Sequence, residues 1–409
     1  MKIEKIDIAV VGGGSAGLAA AVMAARAGAK VALIERQGML GGMATNALVH
    51  SICGLYLLRE NEQTPIQYAN EGFPKEFAEA LLSLRGARGP IRMGRLDILL
   101  HQPTAFAYLA DNFAALSNVE VFLHTEVLET QCDSNHHLSS LTLHSRGSRM
   151  VLKASAVIDT TGDAEIAALS GARFDRSPLE KLQRPAYIFS LNGVDSSSLS
   201  ENGRLRLAAS ISYGVSQKKL PESALGVAFR SGVSPAQAWG TIDLEGKEFD
   251  PLDCKSLSSI EKEGRAIACQ LISFLTREVE GFAHASVDAF PARAGIRESR
   301  RIRGLYELTQ DDILSGGRFG DEIALASWPI ELRESARGPK FQFPFENRPC
   351  GIPLRCLKAE TFPNLFMAGR CLSASHPAQA AIRVIGTTLA TGEAAGKAAI
   401  DFIQQGGDF

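Results

Sequence analysis

Ile6-Asp7-Ile8-Ala9-Val10-Val11 runs straight into Gly12-Gly13-Gly14-Ser15-Ala16-Gly17, and then into the Ala-rich stretch Leu18–Ala27. The first run is apolar and rich in β-branched residues, the pattern of a strand buried on both faces. Leu18–Ala27 is a strong helix former, and Gly28 falls where a helix end wants a left-handed residue. Lys30–Ile34 reads as a second apolar strand, ending at Glu35.

Strand, G-x-G-x-x-G, helix, strand and acid in this order form a βαβ dinucleotide cradle. Glu35 lies 23 positions after Gly12, near the roughly 20 expected of the acid that binds a ribose. Gly12 allows a tight turn, Gly14 a close approach of backbone to a pyrophosphate, and Gly17 close packing of helix on sheet. Ser15 and Ala16 open the helix, where unpaired N–H groups and the positive dipole end face the phosphates. Glu35 accepts hydrogen bonds from a ribose diol and repels a 2′-phosphate, which disfavours NADP.

Composition narrows the class. The 409 residues carry 43 Lys+Arg against 45 Asp+Glu, with 45% hydrophobic and 22% charged residues. That is the usage of an ordinary globular chain rather than a disordered one. It offers no positive excess for nucleic acid, and the length suggests two or three domains of about 150 residues. Seven scattered cysteines without a CxxC suit a reducing compartment, so a cytoplasmic location is expected. No apolar run reaches the roughly 18 to 20 residues that span a bilayer. Ile6–Ala29 is apolar like a signal peptide, but Asp7, three consecutive glycines and Arg26 fit the βαβ reading better. No metal-ligand spacing is present.

After Glu35 the chain lays down a glycine-bearing loop, Arg36-Gln37-Gly38-Met39-Leu40-Gly41-Gly42-Met43-Ala44-Thr45. The pattern E-R-x-x-x-L-G-G-M-A-T resembles FAD-dependent oxidoreductases of the glutathione-reductase-like superfamily. Val119–Thr130, Ala156–Gly171, Ala294–Leu308 and Asn364–Gly396 resemble further segments of that family in the same order, so the likeness spans nearly the whole chain. The resemblance implies FAD as cofactor. It places Glu35, Arg36, Gly41, Gly42, Met43, Ala44 and Thr45 along it, with the backbone at Val127 against the adenine. Thr161, Gly162 and Asp163, then Gly369, Arg370, Ile382 and Arg383, complete the set. One departure is that Ala368-Gly369-Arg370 stands where the superfamily has AGD, so the Asp that would hold the ribitol is missing. The resemblance also puts the N-terminus of a small-residue helix, Ile385–Ile400, at the N1–C2=O edge of the flavin. Ala390, Gly392, Ala395 and Gly396 would let that helix pack closely.

The expected fold is α/β: a Rossmann-like, glutathione-reductase-like FAD domain in two pieces, residues 1–174 and 291–409. An α+β substrate or cap domain is inserted at 175–290. There Pro185–Val194 reads as a strand, Ile260–Glu278 as an amphipathic helix, and the Ser-rich Asp195–Lys219 as part of the cap or a mobile surface excursion.

Absences shape the chemistry. Only Cys53 lies near the first βαβ unit, so there is no dithiol pair; Cys350 and Cys356 read as buried thiols. No second G-x-G-x-x-G marks a nicotinamide domain, since Gly316-Gly317-Arg318-Phe319-Gly320 lacks the spacing. His136-His137 reads as a solvated turn. The electron partner is then the organic substrate or a transient nicotinamide. If Gly295–Gly304 is helical, Arg297 and Arg301 share a face and Glu298 pairs with Arg301. Arg297 either ion-pairs between domains or binds an anion beside the flavin. His376, before Pro377, is the candidate base, with a structural role as the alternative. Arg383 is a candidate cation for reduced flavin, and His50 and Cys53 are candidates for covalent flavin attachment. The expected function is an FAD-dependent oxidoreductase of the dehydrogenase or oxidase type, moving hydride between a small organic substrate and flavin N5. The alternatives are a monooxygenase using transient NAD(P)H and a non-redox dinucleotide-binding biosynthetic protein.

Overall fold

Ile8–Val10 and Val31–Ile34 are almost wholly removed from solvent, as their unbroken apolar runs require. In the computed structural model, which describes residues 2–234, 237–245, 249–335 and 338–406, they belong to adjacent parallel strands, Lys2–Val11 and Val31–Ile34. The helix Ser15–Arg26 crosses between them, and Gly28 follows it at φ +95°. Glu120–Phe122 adds in parallel beyond Val31–Ile34, and Ser148–Asp159 beyond Lys2–Val11. The free side of Ser148–Asp159 is shared. Its first half pairs antiparallel with Leu138–Ser145, which pairs in turn with Glu126–Cys132; its last residues pair in parallel with Leu365–Met367.

Register explains where a site forms. Val11 lies opposite both Ile34 and Asp159, and Asp159 opposite Met367. The strands therefore end level, and the loops that follow them gather at one sheet edge, where α/β proteins bind ligands. The C-terminal helix Ile385–Gln404 lies against Ser15–Arg26 almost backbone to backbone. A Cβ on Gly392 would stand 2.1 Å from the Ala16 carbonyl oxygen, and one on Gly396 2.5 Å from that of Ala20. The small-residue stripe read from sequence thus has a steric cause.

A second core, including Tyr187, Phe189, Phe229, Leu271 and Phe282, is separate from the first. It is built on the antiparallel sheet Ala228–Ser231, Gln237–Asp243, Ala186–Asn192 and Ser286–Ala289, backed by the helix Cys254–Glu278. The Ser-rich segment forms a turn, Ser196–Leu199, and a helix, Glu201–Ser216, capped by Ser200 Oγ accepting from the Gly203 N–H at 3.2 Å. A small sheet of Ser51–Ile52, Leu96–His101 and Ala87–Met93 completes the walls of the site.

The arginine-rich segment is not helical. Gly295 exchanges backbone hydrogen bonds with Ala186 at 2.7 and 2.9 Å, and Arg300–Ile302 is a strand paired with Phe174–Arg176. Pairing with neighbouring extended chain takes the N–H and C=O groups a helix would use. Arg297 and Arg301 therefore share no helix face, although Glu298 and Arg301 still form an ion pair. Among the described residues no helix is long and apolar enough to cross a membrane.

Candidate functional site

The site is a cavity of about 1090 Å³ that joins the level strand ends to the space beneath the second sheet. At the strand ends the glycines act as expected from their spacing. Gly12 turns at φ +104°, and a Cβ there would lie 2.5 Å from the Thr160 carbonyl oxygen. A Cβ on Gly17 would lie 1.8 Å from the Gly12 carbonyl oxygen, so only glycine lets helix meet turn. Gly14 differs: its added Cβ would meet nothing nearer than Gly42 Cα at 4.0 Å, because it faces the cavity. The helix N-terminus behind it has no side-chain cap, leaving its first N–H groups for a ligand. Glu35 is fixed by accepting from the N–H groups of Gly13 at 2.6 Å and Gln37 at 2.8 Å.

Gly12, Gly14, Ser15, Ala16, Glu35 and Arg36 line the cavity. Gly42, Met43, Val127, Thr161, Gly162, Gly369 and Arg370 line it as well, together with Arg297 and Arg383. Gly17, Gly41, Ala44, Thr45, Asp163, Ile382 and His376 stand behind the wall. Thr45 holds the glycine turn by donating to the Leu40 carbonyl at 2.8 Å. Asp163 receives Arg370 at 2.6 Å, Ser299 Oγ at 2.7 Å and Arg36 at 3.4 Å. Burial would raise the Asp163 pKa, but Arg370, Ser299 and Arg36 together hold it down at about 2.

His376 is a correction to the expected base position. Its Nδ1 lies 2.7 Å from Glu298 Oε2, and Glu298 also takes the Ser177 hydroxyl at 2.7 Å and Arg301. A fully buried carboxylate needs such partners, and His376, which supplies one, is not among the residues that line the cavity.

Charge is distributed unevenly. Although the chain as a whole is nearly neutral, among the described residues ten arginines line the cavity against five glutamates. Several are neutralised from behind. Arg297 and Arg333 each reach Asp243 at 2.7 Å, and Arg333 also reaches Glu331 at 2.8 Å. Arg383 donates to Gln183 Oε1 at 3.1 Å and the Glu331 carbonyl at 3.4 Å. Burial lowers its pKa to about 10 against the pull of Glu331, so it stays charged at neutral pH. Among the described residues the Arg293 and Arg230 guanidinium groups donate only to thioethers, Met43 Sδ at 3.4 Å and Met93 Sδ at 3.3 Å respectively.

His50 and Cys53 also line the cavity. His50 stacks on Trp239 with ring centroids 4.8 Å apart. Its Nδ1 donates to the Leu48 carbonyl at 3.3 Å, which leaves Nε2 a lone pair with no partner. Burial, then Arg230 and His101, push its pKa down to about 3, so the ring is neutral. Burial raises the Cys53 thiol to about 12, which suppresses the thiolate that covalent attachment would need.

Several functional positions carry no sequence signal. Arg230, Asp243, Glu331 and Arg333 are lone polar residues in or beside short strands, assembled only by tertiary pairing. Arg293 stands one position before the arginine-rich segment and could have been found by extending it.

A family model, FAD dependent oxidoreductase, matches residues 7–408. The chain belongs to this family, and FAD is its cofactor. The donor set fits that group: open N–H groups at the Ser15–Arg26 helix, a fixed ribose acid in Glu35, and Arg293 beside Arg36 and Arg370. Among curated proteins, the thiamine thiazole synthase of Desulfosudis oleivorans is 42% identical over 86 residues, 20% of this chain and 33% of that protein. The match thus spans about a third of that relative's length. A geranylgeranyl bacteriochlorophyll reductase-like structure from Thermoplasma acidophilum superposes with TM-score 0.51 at 13% identity, covering 99% of this chain and 80% of that one. A triple mutant of a flavin-dependent brominase gives TM-score 0.51 at 13% identity, covering 98% and 81%. At such identities these likenesses establish the fold alone.

Arg293 supplies a direct test of the fit. Arg293→Gln is expected to weaken FAD binding about 10- to 100-fold, the loss of one charge-assisted hydrogen bond of about 1.5–3 kcal/mol. Apoprotein titration with FAD checks it, with unchanged circular dichroism showing that the fold is intact.

Proposed function

We propose that this protein is an FAD oxidoreductase of the dehydrogenase or oxidase type, moving hydride between a small organic substrate and flavin N5. In this reading the fold is of the glutathione-reductase-like kind, with residues 1–174 and 291–409 holding FAD and 175–290 capping the substrate. The observation that carries it is the continuity of one cavity from the dinucleotide cradle into an apolar chamber under the second sheet.

Bound FAD supplies the two-electron chemistry, and the chain's own groups bind, orient and exclude water. Ser15 and Ala16 N–H groups with Arg293 hold phosphates, Glu35 a ribose, and the Val127 backbone the adenine. Arg383, which donates to Gln183 and a carbonyl, presents positive charge where electron density rises, and Arg297, paired with Asp243, shapes the same wall. The uncapped N-terminus of Ile385–Gln404, which also lines the cavity, adds its dipole. His50 Nε2 accepts a hydrogen bond from a substrate O–H or N–H and orients it; with a pKa of about 3 it is too weak a base to keep the proton at neutral pH.

The experiment is an anaerobic screen of organic compounds against the flavin-loaded protein, followed by visible absorption. Bleaching of the flavin bands without nicotinamide is the expected result. Bleaching by NAD(P)H alone, with oxygen uptake coupled to hydroxylated product, would replace this reading with the monooxygenase one.

A further inference from the structure

Arg230 lies on the strand Ala228–Ser231 and lines the cavity. Ile98, Leu100, Ile188, Val227, Trp328 and Val384 line the same cavity, together with Glu331, Arg333 and Arg204, whose charges act on Arg230. Some arginines of the cavity have carboxylate partners: Arg297 and Arg333 share Asp243, and Arg92 reaches Asp97 at 2.9 Å. Among the described residues Arg230 has none, and its one polar contact is Met93 Sδ. It is half-buried and faces a cavity of ligand size.

Its position separates it from the cofactor cradle. The charged groups that act on Arg230 are Glu331, Arg333 and Arg204, whereas those around Arg293 are Asp163, Arg36, Arg370 and Glu35. The phosphate end is thus already supplied with cations. A planar guanidinium with free N–H donors matches a carboxylate bidentately, and the surrounding walls match a hydrocarbon or aryl body.

We propose that Arg230 is the counter-ion for the carboxylate of an otherwise apolar organic acid, the substrate class of this cavity. The inference rests on the oxidoreductase reading above and deepens it.

The test uses the full chain loaded with FAD and probes of known chemistry: benzoate, phenylacetate and hexanoate beside their neutral primary amides. Binding is read from perturbation of the flavin absorption bands, without turnover. At least one acid is expected to bind ten or more times tighter than its amide. Arg230→Gln is expected to abolish that preference and Arg230→Lys to keep part of it, with one FAD per chain in both. Acids and amides binding alike to the unaltered protein, no acid perturbing the flavin, or Arg230→Gln leaving the acid preference intact would overturn the proposal. Should Arg230→Gln not fold, the acid-to-amide ratio of the unaltered protein and of Arg230→Lys still decides it. Loss of FAD from Arg230→Gln would reassign the arginine to the cofactor. A chain that takes up no FAD at all would instead defeat the oxidoreductase reading itself.

Discussion

Gly17→Val is expected to yield protein without flavin and with a markedly lower melting temperature. The added Cβ would stand 1.8 Å from the Gly12 carbonyl oxygen and 2.7 Å from Thr160 Oγ1. Both are tied down: the Thr160 hydroxyl is hydrogen-bonded to the Val11 and Gly12 carbonyls at 2.9 and 2.8 Å. Relief can come only by moving the helix off the strand end, which shifts the N–H groups that meet the phosphates. Overpacking typically costs about 1–3 kcal/mol and more where nothing can yield; against fixed backbone we expect about 3 kcal/mol or above. Flavin absorbance per chain and a thermal melt check it, and a variant retaining full flavin and normal melting would refute the packing argument. Gly28→Ala is the comparison: nothing lies within 4 Å of its added Cβ, so its cost is confined to the left-handed backbone and its flavin should be retained.

Asp243→Ala is expected to lower stability by about 3–5 kcal/mol, the usual cost of removing one partner from a buried ion pair. The carboxylate is fully buried and its two oxygens are divided between Arg297 and Arg333, each at 2.7 Å. It therefore ties the second sheet to the segment carrying Arg297 and to the strand end at Arg333. Burial would raise the Asp243 pKa, but Arg297 and Arg333 outweigh it and hold the carboxyl below its ordinary range. A depressed folded-state pKa gives stability that is full above the unfolded value of about 3.9 and is lost as pH falls through the folded value. Asp163, held at about 2, acts in the same sense. Urea midpoints measured from neutral pH down through pH 4 should fall below pH 4 in the unaltered protein. The Asp243→Ala midpoint should be lower throughout and fall less steeply in that acid window.

What sequence made legible and what it hid divide along physical lines. The βαβ unit was readable because its rules are local: β-branched runs bury, Ala-rich runs coil, and each glycine answers to a contact within one turn or one crossover. The small positions Gly392 and Gly396 belong to the same class, since close helix packing leaves a spacing in the sequence. The helical expectation for Arg297 and Arg301 failed because Gly295 pairs with Ala186, more than a hundred residues away, and no local propensity reports such a partner. His376, expected between the last strand and the terminal helix, instead opens a helix of its own, His376–Ile382, and its ring is engaged by the buried Glu298. Among the described residues Arg230 and Arg293 pair with no carboxylate, and that is a property of the folded chain alone.

The claim at the centre of this account is that two electrons leave or enter the substrate as hydride, with no oxygen atom inserted. The most direct measurement is the mass of the product formed by one anaerobic turnover of flavin-loaded protein with a compound that changes its flavin bands. The account predicts a product differing from the substrate by two hydrogens, in amount equal to the flavin converted. A product heavier by one oxygen atom, formed only when air is admitted, would contradict it.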